Sequence, residues 1–171
     1  MNLILIGYRG TGKSTVARLL SSKLGWKTVS TDALIVEKAK LPIPEIVSQF
    51  GWDHFRDLET SVCKELQGRD HLVIDTGGGV ILRNVNVETL KPNGVMCWLT
   101  ATVETISLRI AGDSQRPSLT SGKTFLEEIE EVLQERTPKY QAAADFIVET
   151  DSGSADHVAN LVLSKFQEVQ G

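Results

Sequence analysis

The chain has 171 residues, with 18 Lys and Arg against 22 Asp and Glu for a net charge of −4, and its composition is 41% hydrophobic and 23% charged. That is enough chain for one domain with a sizeable core, and the balance excludes a disordered chain. The acidic excess argues against general affinity for nucleic acid or an anionic membrane, and no apolar run has the length of a membrane span or the form of a signal peptide. Leu3-Ile4-Leu5-Ile6 reads as a buried first strand ending at Gly7. A helix is expected from about Lys13 to Leu24, with Val16, Leu19, Leu20 and Leu24 on one face and Gly25 as its stop. Strand two is expected at Trp26 to Ser30, and Ala33-Leu34-Ile35-Val36 follows as a helix that Pro42 and Pro44 break. A longer helix runs from about Trp52 to Leu66, with Phe55, Leu58, Val62 and Leu66 in one stripe. Strand three, Leu72 to Asp75, leads into Gly77-Gly78-Gly79. A short helix around Asn84–Leu90 precedes strand four, Val95 to Leu99, and Val103–Ile110 is helical. Residues 111–124 carry almost no periodicity, and a loop of this length in a compact domain reads as a lid. A helix from Phe125 to about Tyr140, strand five at Phe146–Val148 and a helix Ala155–Val169 complete the pattern. The last helix would place Val158, Leu161, Val162 and Phe166 in the core. No helix shows a second apolar stripe, so a monomer is expected.

Alternation of strand and helix favours an α/β fold: a five-stranded parallel sheet flanked by helices, here in one domain over residues 1–171. Cys63 and Cys97 fit no metal spacing and read as reduced core thiols, which suits a cytoplasmic protein.

Gly7-Tyr8-Arg9-Gly10-Thr11-Gly12-Lys13-Ser14 matches the phosphate-binding pattern G-x-x-x-x-G-K-[ST], between a strand and a helix as that chemistry requires. Backbone N–H groups form an anion nest, and the helix adds its positive end. Gly10, Thr11, Gly12, Lys13, Ser14 and Thr15 are therefore expected to hold ATP, Lys13 at the β- and γ-phosphates and Ser14 at Mg²⁺. Asp32, at the end of strand two, suits a group that accepts the proton of an attacking hydroxyl, and equally suits a helix N-cap. Asp75 suits the acid beside a magnesium ion, and the glycines after it would let a ligand approach the backbone. Lone arginines are usually solvated. Arg116 stands apart because it lies in the lid, where it can close on a transferring phosphoryl group. Arg56 and Arg136 converging on one pocket would hold a carboxylate.

Together these residues resemble the shikimate kinase family over essentially the whole chain. The resemblance rests on Gly7, Gly10, Gly12, Lys13 and Ser14; on Ser30-Thr31-Asp32 in place of a D-x-D pair; and on Phe55-Arg56 with Glu59. It rests further on Gly77-Gly78-Gly79, on Arg116-Pro117, and on Arg136-Thr137-Pro138-Lys139-Tyr140. It implies a P-loop, nucleoside monophosphate kinase-like fold with a lid, a substrate-binding region over about 32–62, and transfer of phosphate from ATP to shikimate in chorismate and aromatic amino-acid biosynthesis. It implies that Lys13, Asp32 and Arg116 are catalytic and that Arg109 stacks on adenine. Asp32, Arg56, Gly77, Gly78, Gly79 and Arg136 would bind shikimate, with Glu59 orienting Arg56 and with Phe55 and Ile43 as the apolar wall. One departure stands out: Ser30 replaces the first acid of the pair, which in the family supports the Mg²⁺ shell. Asp75 is expected to supply that charge from the neighbouring strand, so Ser14 and Asp75 form the expected metal side. Rival readings are a gluconate or nucleoside monophosphate kinase of the same fold, and a binding module without turnover.

Overall fold

The computed structural model describes residues 1–111 and 124–171. Five parallel strands, β1 (Asn2–Ile6), β2 (Lys27–Ser30), β3 (Leu72–Asp75), β4 (Gly94–Thr100) and β5 (Phe146–Glu149), lie in the order β2-β3-β1-β4-β5. Side chains alternate across a strand, so β1 divides its apolar residues between the two faces. Leu3 and Leu5 pack under α1 (Lys13–Leu24) and α8 (Ala155–Gln170), with Leu20, Val162 and Phe166. Ile4 and Ile6 pack on the other face. There they meet α2 (Thr31–Ala39), α3 (Ile43–Phe50), α4 (Trp52–Leu66), α5 (Asn84–Leu90) and α7 (Phe125–Ala143). A third cluster seats Tyr8 of the P-loop against Ile106 and Ile110 of α6 (Val103–Ile110) and Ile129 and Val132 of α7. The loop's position is thus fixed by apolar packing as well as by β1. No helix among the described residues is long and apolar enough to cross a membrane.

The expected elements are present, with four corrections. Trp26 lies outside β2: the N–H groups of Gly25 (φ +68°) and Trp26 both donate to Ser21 O, closing α1 before the strand begins. Pro42 and Pro44 do more than break a helix. The first helix ends at Ala39, with Lys40 left-handed, and a second, unexpected helix α3 begins at Ile43. Pro42 is its N-cap and Pro44 lies in its first turn, where a missing N–H costs nothing. Helix α7 contains Pro138, as expected, but runs past Tyr140 to Ala143, which puts Arg136 about two turns inside its end. In α8, Leu161 is 39% exposed and Ala159 takes its expected place in the core. Of the segment expected as a lid, residues 112–123, including Arg116 and Pro117, lie outside the described residues.

Phe166 is fully buried and meets the Trp26 ring edge-on at 5.8 Å. Phe166→Ala is expected to lower unfolding stability by about 3–5 kcal/mol, measured by urea denaturation.

Candidate active site

The C-terminal ends of β1, β2 and β3 carry the P-loop, the start of α2 and the triple-glycine turn. Ligands in open α/β sheets bind at this end. The P-loop takes left-handed backbone at Gly10 (φ +81°) and Gly12 (φ +95°), and at Gly10 even a methyl would stand 2.6 Å from Ile110 Cγ2. Lys13 is buried, and its Nζ donates to Gly7 O at 2.7 Å and Tyr8 O at 3.0 Å, so the loop curls around its own cation. Thr11 Oγ1 donates to Tyr8 O at 2.8 Å. Ser14 Oγ donates to Asp75 Oδ2 at 2.6 Å, which joins the P-loop to the end of β3.

Ser30 caps α2, accepting from the Ala33 N–H at 3.2 Å. Asp32 is therefore not the cap. It sits one residue into the helix, where the helix dipole favours a carboxylate, and its Oδ1 would lie 2.8 Å from a methyl placed on Gly77. Thr31 Oγ1 accepts the Gly77 N–H at 3.0 Å, and Thr76 Oγ1 donates to Leu5 O at 2.7 Å. Tyr140 Oη, fully buried, donates to Gly78 O at 2.5 Å. The turn is tied to α2, β1 and α7 at once.

None of its three glycines has a positive φ. They are small because charged side chains press on them. A methyl on Gly77 would also stand 3.1 Å from Glu59 Oε2, one on Gly78 3.4 Å from Arg136 Nη1, and one on Gly79 2.6 Å from Arg56 Cζ. Arg56 Nη1 donates to Glu59 Oε1 at 3.0 Å, with Glu59 wholly buried. The Arg56 guanidinium also lies 5.3 Å from the Trp52 ring centre and 5.2 Å from that of Phe55, close enough for cation–π attraction. Burial raises the Glu59 carboxyl above the ordinary 4.5, against the lowering pull of Arg56. Burial likewise pushes the Tyr140 hydroxyl up to about 12, opposed by Arg136. Cys63 is pushed up to about 12 by burial and then by Glu59, which leaves it an inert thiol.

Two cavities flank the P-loop. The first is lined by Arg56, Arg136, Glu59 and Gly77 to Gly79, together with Arg9 and Trp52. The second is lined by Gly10, Thr11, Gly12, Thr15, Arg109 and Thr150, among others. Arg109 donates from Nη1 to Gly10 O at 3.2 Å and to Thr150 Oγ1 at 2.9 Å, and from Nη2 to Thr150 O at 2.5 Å. Its edges are engaged in-plane, as a stacking surface requires. Every site residue expected from sequence and described here falls at one of these cavities or at the strand ends between them, whereas Ile43 lies in the core beneath and does not line the first cavity. Sequence reasoning gave no role to Trp52, one helical turn before Phe55, to Tyr140, one turn after Arg136, or to Arg9 within the P-loop.

The shikimate kinase family model matches residues 9–167. A shikimate kinase of Nitratidesulfovibrio vulgaris is 40% identical over 153 residues, 88% of this chain and 87% of its own. A solved shikimate kinase of Acinetobacter baumannii, in complex with shikimate, is 35% identical with a TM-score of 0.93, covering 98% of this chain and 93% of its own. A gluconokinase of Sinorhizobium meliloti, 12% identical with a TM-score of 0.62 over 99% of this chain and 94% of its own, shares the fold.

The raised Glu59 carboxyl gives a pH prediction. A carboxyl whose pKa is higher folded than unfolded adds stability that is present below 4.5 and lost as pH rises through the folded value. Its hold on Arg56 changes in the opposite sense, since protonation removes the charge that orients the guanidinium. As pH falls toward 4.5, the binding constant of a carboxylate ligand in the first cavity should therefore weaken in the wild type. In Glu59→Gln it should be weak throughout and lack that acid limb. The check is a calorimetric titration at each pH, and the same acid limb in both proteins would overturn the assignment.

Proposed function

The chain belongs to the shikimate kinase family and is an ATP-dependent kinase of the shikimate pathway, and on that footing we propose that it moves the γ-phosphoryl group of ATP to the 3-hydroxyl of shikimate in the first cavity. The observation that carries this is the pairing of Arg56 and Arg136 over the glycine turn, one P-loop wall away from Lys13. Two guanidinium groups suit the single carboxylate of the acceptor. Asp32, at the same turn, accepts the hydroxyl proton while the hydroxyl oxygen attacks the γ-phosphorus and the bond to ADP breaks. The N–H groups of Gly78 and Gly79 face the acceptor, and Gly77 contributes through its lack of a side chain, its own N–H being held by Thr31. The second cavity takes the nucleoside, with adenine on the Arg109 face. Arg116, outside the described residues, retains the role the sequence suggests, stabilising the transferring phosphoryl group. The working unit is one kinase domain, monomeric and cytoplasmic, in keeping with two buried free thiols.

The residues present fit Mg²⁺. The donor set is a hydroxyl and a carboxylate, hard oxygens, joined at 2.6 Å across Ser14 and Asp75. Among the described residues there is no group of three His, Cys, Asp or Glu side chains that could cage a metal, which suits an ion held mostly by phosphates and water. Bound there, the ion would neutralise charge on the β- and γ-phosphates. Asp75 is paired in register with Ser30 on the adjacent strand, so the missing acid of β2 is supplied one strand over, about 4.8 Å away.

The first test is ADP release from ATP and Mg²⁺ with shikimate, beside gluconate, quinate and AMP. Release that depends on shikimate alone is expected, and release with gluconate or AMP instead would overturn the reading. The metal assignment is tested separately by Mn²⁺ paramagnetic resonance with bound nucleotide. Asp75→Ala should weaken Mn²⁺ binding at least tenfold, and Ser30→Asp with Asp75→Ala should restore most of it. Unchanged Mn²⁺ binding in Asp75→Ala would show that Asp75 does not serve the ion.

A further inference from the structure

Among the described residues, three guanidinium groups line the first cavity, and the third belongs to the P-loop itself. Arg56 is engaged by Glu59, and the Arg136 charge acts on the Tyr140 hydroxyl. Arg9 differs. It is half-buried, it lines the cavity, and its Nε–H is buried without a hydrogen-bond partner in the described structure. Buried N–H groups on charged side chains are rarely left unpaired, and those that are ask for a ligand. The backbone around Arg9 is held on both sides. The carbonyls of Gly7 and Tyr8, just before it, accept from Lys13 Nζ. The carbonyl of Gly10, just after it, accepts from Arg109 in the second cavity. Its own backbone N lies 3.5 Å from where a methyl on Gly78 would stand, against the glycine turn.

We infer that Arg9 is a positioning residue that donates to the anionic acceptor from the P-loop side and thereby couples acceptor binding to nucleotide binding. The inference rests on the acceptor reading above. A nucleotide sets the P-loop through Lys13 and Arg109, and Arg9 is covalently part of that loop. An acceptor held by Arg9 therefore binds more tightly when the loop is in its nucleotide-bound form, and reciprocity requires the nucleotide to bind more tightly with the acceptor present. Arg56 and Arg136, on helices α4 and α7, hold the acceptor without this dependence.

The test is calorimetric titration of shikimate into the protein with and without a non-hydrolysable ATP analogue, for wild type, Arg9→Met and Arg9→Lys. In Arg9→Met, shikimate should bind about ten- to a hundred-fold more weakly, and the ratio of its affinities with and without nucleotide should fall toward one. The nucleotide alone should bind Arg9→Met within about twofold of wild type, since the phosphates are held by backbone N–H groups and Lys13, and this shows the loop still folded. Arg9→Lys should recover part of the affinity, keeping the charge but losing the planar fork. Shikimate affinity unchanged in Arg9→Met, or weakened with the nucleotide ratio intact, would overturn the inference. Failure of wild type to bind shikimate at all would instead overturn the acceptor reading.

Discussion

The guanidinium of Arg56 rests on the Cα of Gly79, and no side chain can stand between them. Much of the first cavity follows from that contact. Arg56 is held there by Glu59, by two aromatic faces, and by the shape of the turn. The turn is held in its place by Thr31 from α2, Thr76 to β1 and Tyr140 from α7. Elements far apart in sequence thus meet at three consecutive glycines. A larger residue at position 79 would move the cation away from the cavity, and one at 77 would meet Asp32 and Glu59. The glycines give up side chains so that four charged groups can close on one short segment.

Charge balance explains why such a cluster survives burial. A buried guanidinium or carboxylate alone carries a large desolvation cost, and pairing offsets it only with good geometry. Burial raises the Glu59 pKa, Arg56 pulls it back down, and the nearby Asp32 carboxylate adds a smaller push upward. The same reasoning applies at the sheet edge. Ser30 caps α2, and the carboxylate at this height of the sheet belongs to Asp75, its register partner on β3. Parallel strands bring matched residues such as these to one height above the sheet.

The fold was readable because its helices and strands carry unmixed periodicity, and because Gly25 and the P-loop glycines mark real left-handed turns. What was missed has physical causes. Helix α3 is hidden in the sequence because Pro42 and Pro44 read as terminators, though a proline can equally begin a helix. The run of α7 past Tyr140 accompanies packing of Ala143 into the core, which local propensity does not report. At the site, the charged residues were readable from motif and spacing. Their supports were not: Trp52 and Tyr140 look like ordinary core aromatics until the structure places one under Arg56 and the other against Gly78 O. Arg9 was passed over because the P-loop pattern leaves its position open.

A transferase of this kind must bring two anionic ligands together without letting water take the place of the acceptor. The P-loop meets part of that demand by being a wall of both cavities, since Arg9 lines one and Gly10 to Gly12 line the other. The two cavities then lie on either side of a few residues of backbone. Those residues are anchored from below by Tyr8 in an apolar cluster with α6 and α7, from the second cavity by Arg109, and from the sheet by the Ser14–Asp75 bond. Helix α7 also carries Arg136, and α6 carries Arg109, one into each cavity. A shift of the P-loop relative to these helices therefore changes both sites together, which makes the packing under Tyr8 as much a part of the site as the cations around it.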